Sequence, residues 1–107
     1  MAQLDDNGTQ ATIERSGDVA GKPLINIAGE LDISTVPEVE AQLQSFIGGA
    51  PGIVFDLSRL EFMDSSGIAM LLRAAANTGS VEVRNPSNSV RKIITATGLT
   101  EVLRFAP

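Results

Sequence analysis

Ile53-Val54-Phe55-Asp56-Leu57, and a few residues later Phe62-Met63-Asp64-Ser65-Ser66-Gly67-Ile68, is the stretch whose reading decides the fold. The first run is apolar except for one acid, which suits a central strand buried on both faces. Residues 58–64 read as a loop. A helix follows over about 66–77, with Ile68, Leu71, Leu72 and Ala75 at helical spacing on its buried side and Gly79 closing it. A buried strand leading into an amphipathic helix is one half of a parallel crossover.

The same unit recurs outward from this point. Downstream, Val81-Glu82-Val83-Arg84 alternates as a short strand, and Asn85-Pro86 turns the chain. A helix over 88–97 then buries Val90, Ile93, Ile94 and Thr97. Gly98 followed by Leu99 fits a left-handed C-terminal cap, and residues 100–104 read as a final helical turn. Upstream, Thr35 with Glu38 three residues later matches a capping box, and Pro37 falls in the first turn, where its missing N–H is harmless. Val36, Val39, Leu43, Phe46 and Ile47 form one stripe, and Gly48-Gly49 ends that helix. Before it lie a strand over 24–28, ended by Gly29, and another short one over 11–15. A turn over 17–21 joins them as an antiparallel hairpin. Residues 1–10 read as a flexible N-terminus and 11–107 as one domain, which 107 residues fit. Strands alternating with helices imply an α/β fold with parallel crossovers. The expected architecture is a mixed β-sheet of four to five strands flanked by about four helices, mostly on one face.

Composition removes several function classes. There is no cysteine and no histidine, so disulfides, thiolate chemistry and the commonest general base are absent. The four aromatic residues are Phe46, Phe55, Phe62 and Phe105, so the core is aliphatic. The net charge of −5 disfavours direct binding of nucleic acids, which rests on clustered Lys and Arg. No apolar segment approaches the ~20 residues that span a bilayer, and the start lacks the pattern of a signal peptide. These features lead us to expect a cytoplasmic protein with no membrane contact.

The candidate chemistry lies at Asp64-Ser65-Ser66-Gly67. Asp and Ser are preferred helix N-caps, so local physics alone makes this segment a cap. A nucleophile elbow needs glycine two residues to each side of the serine; Met63 stands where the first would be, and no histidine can act as base. A phosphate-cradling loop needs more glycines and a lysine. Asp56, Glu61 and Asp64 have no distinctive metal-ligand spacing. Opposite the buried stripe, Ser66, Ala69, Met70, Arg73 and Asn77 share a face, which makes Met70 an exposed residue suited to partner docking. Gly29-Glu30-Leu31-Asp32 is the second notable segment. Ser34 or Thr35 supplies the helix cap there, leaving Glu30 and Asp32 as loop carboxylates.

Taken together, Gly29-Glu30-Leu31-Asp32, Val54-Phe55-Asp56-Leu57-Ser58, Phe62 to Ile68, and Asn85-Pro86 with Val90 and Thr97-Gly98-Leu99 resemble the STAS domain in its small bacterial form, the anti-sigma factor antagonist. The resemblance runs from about Thr12 to Phe105. It implies a partner switch: the unphosphorylated protein binds an anti-sigma factor that is also a serine kinase, freeing a sigma factor to direct transcription. The phosphorylated serine of the family maps onto Ser66, with Ser65 as the alternative, and a serine phosphatase reverses the modification. The partner-binding surface then comprises Glu30, Asp32, Asp64, Ser65, Ser66, Gly67, Ala69, Met70 and Arg73. ATP and Mg²⁺ belong to the kinase, so the chain itself needs no cofactor or metal and is no enzyme. Alanine at position 69, where glycine is common in such proteins, bears on partner fit. A non-switching STAS docking subunit of a transport complex is the alternative within the family.

Overall fold

The apolar run at 53–57 opens the middle strand of a five-stranded sheet. The computed structural model describes residues 10–106. In chain order these form β1 (Ala11–Val19), β2 (Lys22–Leu31), α1 (Val36–Ile47), β3 (Ile53–Met63), α2 (Ser65–Thr78), β4 (Val81–Arg84), α3 (Asn88–Ala96) and β5 (Leu103–Phe105). The sheet order is β1-β2-β3-β4-β5. β1 pairs antiparallel with β2, and every later pair is parallel.

The two faces of the sheet differ chemically. Ile25, Ile27, Phe55, Leu57, Val81, Val83 and Leu103 are fully buried and join one core with Val39 and Leu43 of α1, Met70 and Leu71 of α2, and Val90 and Ile94 of α3. Residues on the alternate positions, such as Asn26, Asp56, Glu82 and Arg84, stay partly exposed, because successive strand side chains point to opposite faces. The helices therefore cover one face, as expected. Arg91 of α3 lies 4.2 Å over the ring of Phe105 on that side.

The structure revises several boundaries. The hairpin strands are longer than read, leaving only Ala20 and Gly21 as its turn. Residues 58–63 are strand rather than loop: Arg59, Leu60, Phe62 and Met63 pair with Ala28, Gly29, Glu30 and Leu31. Two register shifts in that pairing space the buried residues by threes, at Leu57, Leu60 and Met63, and so hide the strand period. Among the described residues there are three helices, not about four. The expected turn of helix at 100–104 is a short turn, closed by Leu103 N–H donating to the Leu99 carbonyl at 2.9 Å. It leads into β5, whose Leu103 is buried beside Val81. Of the expected flexible start, 1–10, residues 1–9 lie outside the described residues. The Gln10 carbonyl already accepts the Glu30 N–H at 2.9 Å.

Gly29 makes that contact possible. Its φ is +95°, a region that favours glycine. A Cβ there would also lie 2.3 Å from the Gln10 carbonyl oxygen. The glycine thus lets the end of β2 bend into the loop that carries Glu30 and Asp32.

Candidate functional site

The site forms at the C-terminal ends of β2 and β3, where both strands give way to helices. The Asp64 N–H donates to the Leu31 carbonyl at 3.1 Å, tying the start of α2 to the end of β2. Asp64 is the N-cap, with extended backbone, and its carboxylate accepts the Ser66 N–H at 2.8 Å. The Gly67 and Ile68 N–H groups donate to the Asp64 carbonyl at 3.1 and 3.2 Å. Asp64 therefore accepts the Ser66, Gly67 and Ile68 N–H groups of the first turn, and neither serine hydroxyl is spent on capping. Ser65 is exposed and Ser66 half-buried.

Gly67 is buried, and the structure shows why only glycine fits. A Cβ at this position would lie 2.5 Å from Met63 Cγ and 3.0 Å from Leu31 Cβ. The helix presses directly on the strand ends, so Gly67 sets the height of Ser66 rather than presenting a surface itself.

The loop before α1 is also ordered by its own hydrogen bonds. The Asp32 carboxylate accepts from Ser34 N–H at 2.9 Å, Ser34 hydroxyl at 2.7 Å and Thr35 N–H at 3.1 Å. The buried Thr35 hydroxyl accepts the Asp32 N–H at 3.0 Å and donates to the Glu30 carbonyl at 2.7 Å. The expected capping box is thus replaced. Thr35 is the N-cap of α1 but makes no side-chain cap bond to it; its hydroxyl is spent on Glu30 and Asp32, while the Asp32 carboxylate orders the turn that leads into the helix.

α2 is rotated from the expected orientation. Its buried residues are Gly67, Ile68, Met70, Leu71, Ala74 and Ala75. Met70 is 0 % exposed, so it belongs to the core and not to a docking surface. Ile68, Leu71 and Ala75 are buried as expected, but positions 67, 70, 71 and 74 rather than 68, 71, 72 and 75 hold the centre of the stripe, the same helical pattern shifted by one residue. Close approach at Gly67 and the small side chains of Ala74 and Ala75 select the first register and leave Leu72 half-buried.

Arg73 does lie on the outer face, and α1 holds it there. Its Nε and Nη2 donate to the two carboxylate oxygens of Glu40 at 2.8 and 2.7 Å. This hydrogen-bonded guanidinium holds the Glu40 carboxyl below its ordinary range, against the opposing effect of partial burial. Ser66 is seven residues earlier, about two helical turns, and so lies on the flank of α2 that faces α1 and its leading loop. Ala69, half-buried, stands between them. The structure therefore gathers Glu30, Asp32, Asp64, Ser65 and Ser66 at one end of the molecule, with Gly67 beneath them, while Ala69 and Arg73 continue along the same flank of α2.

Two residues that sequence reasoning did not single out for docking stand beside this group. Ile33 is 79 % exposed and Phe62 46 % exposed. Phe62 pairs in register with Glu30, and Ile33 sits within the turn held by Asp32. An apolar residue flanked by Asp32 and Ser34 in a polar turn was the available signal. Elsewhere, burial raises the Asp56 carboxyl, but hydrogen bonds from Ser58 and Asn85 and the charge of Arg84 outweigh it, leaving a net lowering. Asp56 thus has a structural role on the open face of the sheet. Among the described residues no cluster of carboxylates is arranged to hold a metal ion, and no helix is long and apolar enough to cross a membrane.

Comparisons with known proteins agree on this architecture. A family model described as "Mlab, STAS domain" matches residues 15–104. An anti-sigma F factor antagonist from Lysinibacillus sphaericus is 34% identical over 82 residues, covering 71% of this chain and 70% of that protein. The unphosphorylated form of the anti-sigma factor antagonist SpoIIAA superposes with a TM-score of 0.69 at 28% identity, over 90% of this chain and 89% of the other. The phosphorylated form of the Bacillus protein SpoIIAA gives 0.63 at 25% identity, over 90% and 92%. An anti-sigma factor antagonist from Mycobacterium paratuberculosis has the same fold, with a TM-score of 0.75 at 24% identity over 98% and 91% of the two chains.

Proposed function

The chain belongs to the STAS domain family, and from that premise we propose that it is an anti-sigma factor antagonist working by partner switching. In its unphosphorylated form it binds an anti-sigma factor that is also a serine kinase, and so frees a sigma factor. Phosphorylation of Ser66 ends the binding, and a serine phosphatase restores it. The chain contributes docking and a phosphoacceptor rather than catalysis, and it works in the cytoplasm.

One observation carries this reading: Asp64 caps α2 by itself, which leaves the Ser66 hydroxyl available at the first turn. The electrostatics support a switch in binding without a change of fold. A phosphate adds about −1.5 to −2 charges, and the N-terminus of a helix accommodates an anion. The same phosphate buried against a partner, beside Asp64, would be desolvated and unpaired. A loss of ~3 kcal/mol there weakens binding more than a hundredfold. Ser66 is favoured over Ser65 because it lies on the flank toward α1, where the acidic loop and Ile33 also stand. The relative SpoIIAA is known in both unphosphorylated and phosphorylated forms, which fits a family whose members carry this modification.

The test is intact-mass measurement after incubation with a kinase-type anti-sigma factor and ATP, followed by site mapping. One added phosphate on Ser66 is expected. A non-switching STAS docking subunit of a transport complex, the alternative, would acquire none.

A further inference from the structure

We propose that Ile33 is the apolar anchor of the docking surface, inserted into an apolar socket on the partner whose rim is basic. This rests on the partner-switching reading, because the partner is the anti-sigma factor of that reading. Three observations carry it. Ile33 is 79 % exposed, the most exposed large hydrophobic residue among those described. It is also rigidly displayed: the hydrogen bonds of Asp32 and Thr35 fix the backbone on both sides of it. A preorganised knob loses little conformational freedom on binding, which is what distinguishes an anchor from an incidental surface residue. Finally, the two segments that flank it are acidic. Segments 30–38 and 60–67 carry Glu30, Asp32, Glu38, Glu61 and Asp64 and no Lys or Arg. The nearby Arg73 is already bound to Glu40. A partner that covers Ile33 must bring Lys or Arg to this rim. Phe62, paired with Glu30 at the strand ends, faces away from the core that Leu31 and Met63 join, and is the peripheral apolar residue of this end.

The experiment measures dissociation constants by calorimetry between the full chain and each purified kinase-type anti-sigma factor encoded in the same genome. Wild type, Ile33→Ala, Phe62→Ala, Leu99→Ala and Ser66→Asp are compared, with melting curves for each. Ile33→Ala is expected to keep the wild-type melting curve and to bind about thirtyfold more weakly, the loss typical of an anchor residue. Phe62→Ala loses less. Leu99→Ala, an exposed apolar residue beyond the far end of α3, binds as wild type. Affinity for the partner should also fall with added salt. If Ile33→Ala binds within twofold of wild type while Ser66→Asp abolishes binding, the anchor is refuted and the partner-switching reading stands. If wild type binds none of the anti-sigma factors, both fail.

Discussion

Replacing Gly67 by alanine places one methyl group between α2 and the ends of β2 and β3. Two opposing effects decide the outcome. Alanine is the better helix former, by about 1 kcal/mol in a helix interior. Against this, the new Cβ meets Met63 Cγ at 2.5 Å, Leu31 Cβ at 3.0 Å and Met63 Sδ at 3.0 Å. Met63 and Leu31 are both fully buried, so neither can swing into solvent to make room. Overpacking a close-packed core costs about 1–3 kcal/mol, and a contact this short belongs in the upper half of that range. The net loss is then about 1–2 kcal/mol, or roughly 4–16 °C in melting temperature for a domain of this size. Thermal unfolding followed by circular dichroism measures it. Relieving the clash from the other side is informative: the Gly67→Ala, Met63→Ala double variant should lose less than the sum of the two single-variant losses. A Gly67→Ala variant as stable as wild type, or more so, would refute the claim that close helix–strand contact fixes the height of Ser66.

Asp64→Ala should lower stability by about 1 kcal/mol in urea unfolding while Asp64→Asn keeps most of it, because either carboxylate or amide oxygen can accept the Ser66 N–H. Met70→Ala should cost about 2–5 kcal/mol, the range for deleting a fully buried side chain, and a variant of unchanged stability would place Met70 back on the surface. Glu40 has its folded pKa lowered by Arg73, so its contribution to stability is present above the unfolded pKa and is lost as pH falls through the folded one. Urea midpoints of wild type and Glu40→Gln should therefore differ slightly at neutral pH and converge on acidification, the difference being small because Arg73 is exposed and solvent screens the pair.

The central crossover was legible because bulk and period agree there: 53–57 is apolar but for Asp56, and Asp64 with Ser65 offers the capping residues of a helix start. Legibility failed where two patterns fit equally well. In α2 the large residues Ile68, Leu71 and Leu72 point to one register, but backbone approach at Gly67 selects the neighbouring one and buries Met70. Periodicity weights side-chain size, whereas packing against a sheet also rewards its absence. Residues 58–63 look polar because the bulged pairing with β2 leaves Ser58, Arg59, Glu61 and Phe62 exposed. β5 has three residues, too few to establish a period of two. At the site, the acidic and hydroxyl residues could be named from sequence. For Ile33 the sequence offered only its polar neighbours Asp32 and Ser34 as a hint, and how far it is exposed depends on how Asp32 and Thr35 fold the turn around it.

The most direct test of the partner switch is binding measured before and after quantitative phosphorylation of the same preparation. The purified chain is treated with a kinase-type anti-sigma factor and ATP, the modified form is isolated, and its affinity for that factor is compared with that of untreated protein and Ser66→Ala. The account predicts a single phosphate on Ser66, affinity reduced more than a hundredfold by it, and tight binding by Ser66→Ala without modification. Undiminished binding by the Ser66-phosphorylated protein, or a phosphate acquired only on another residue, would contradict it.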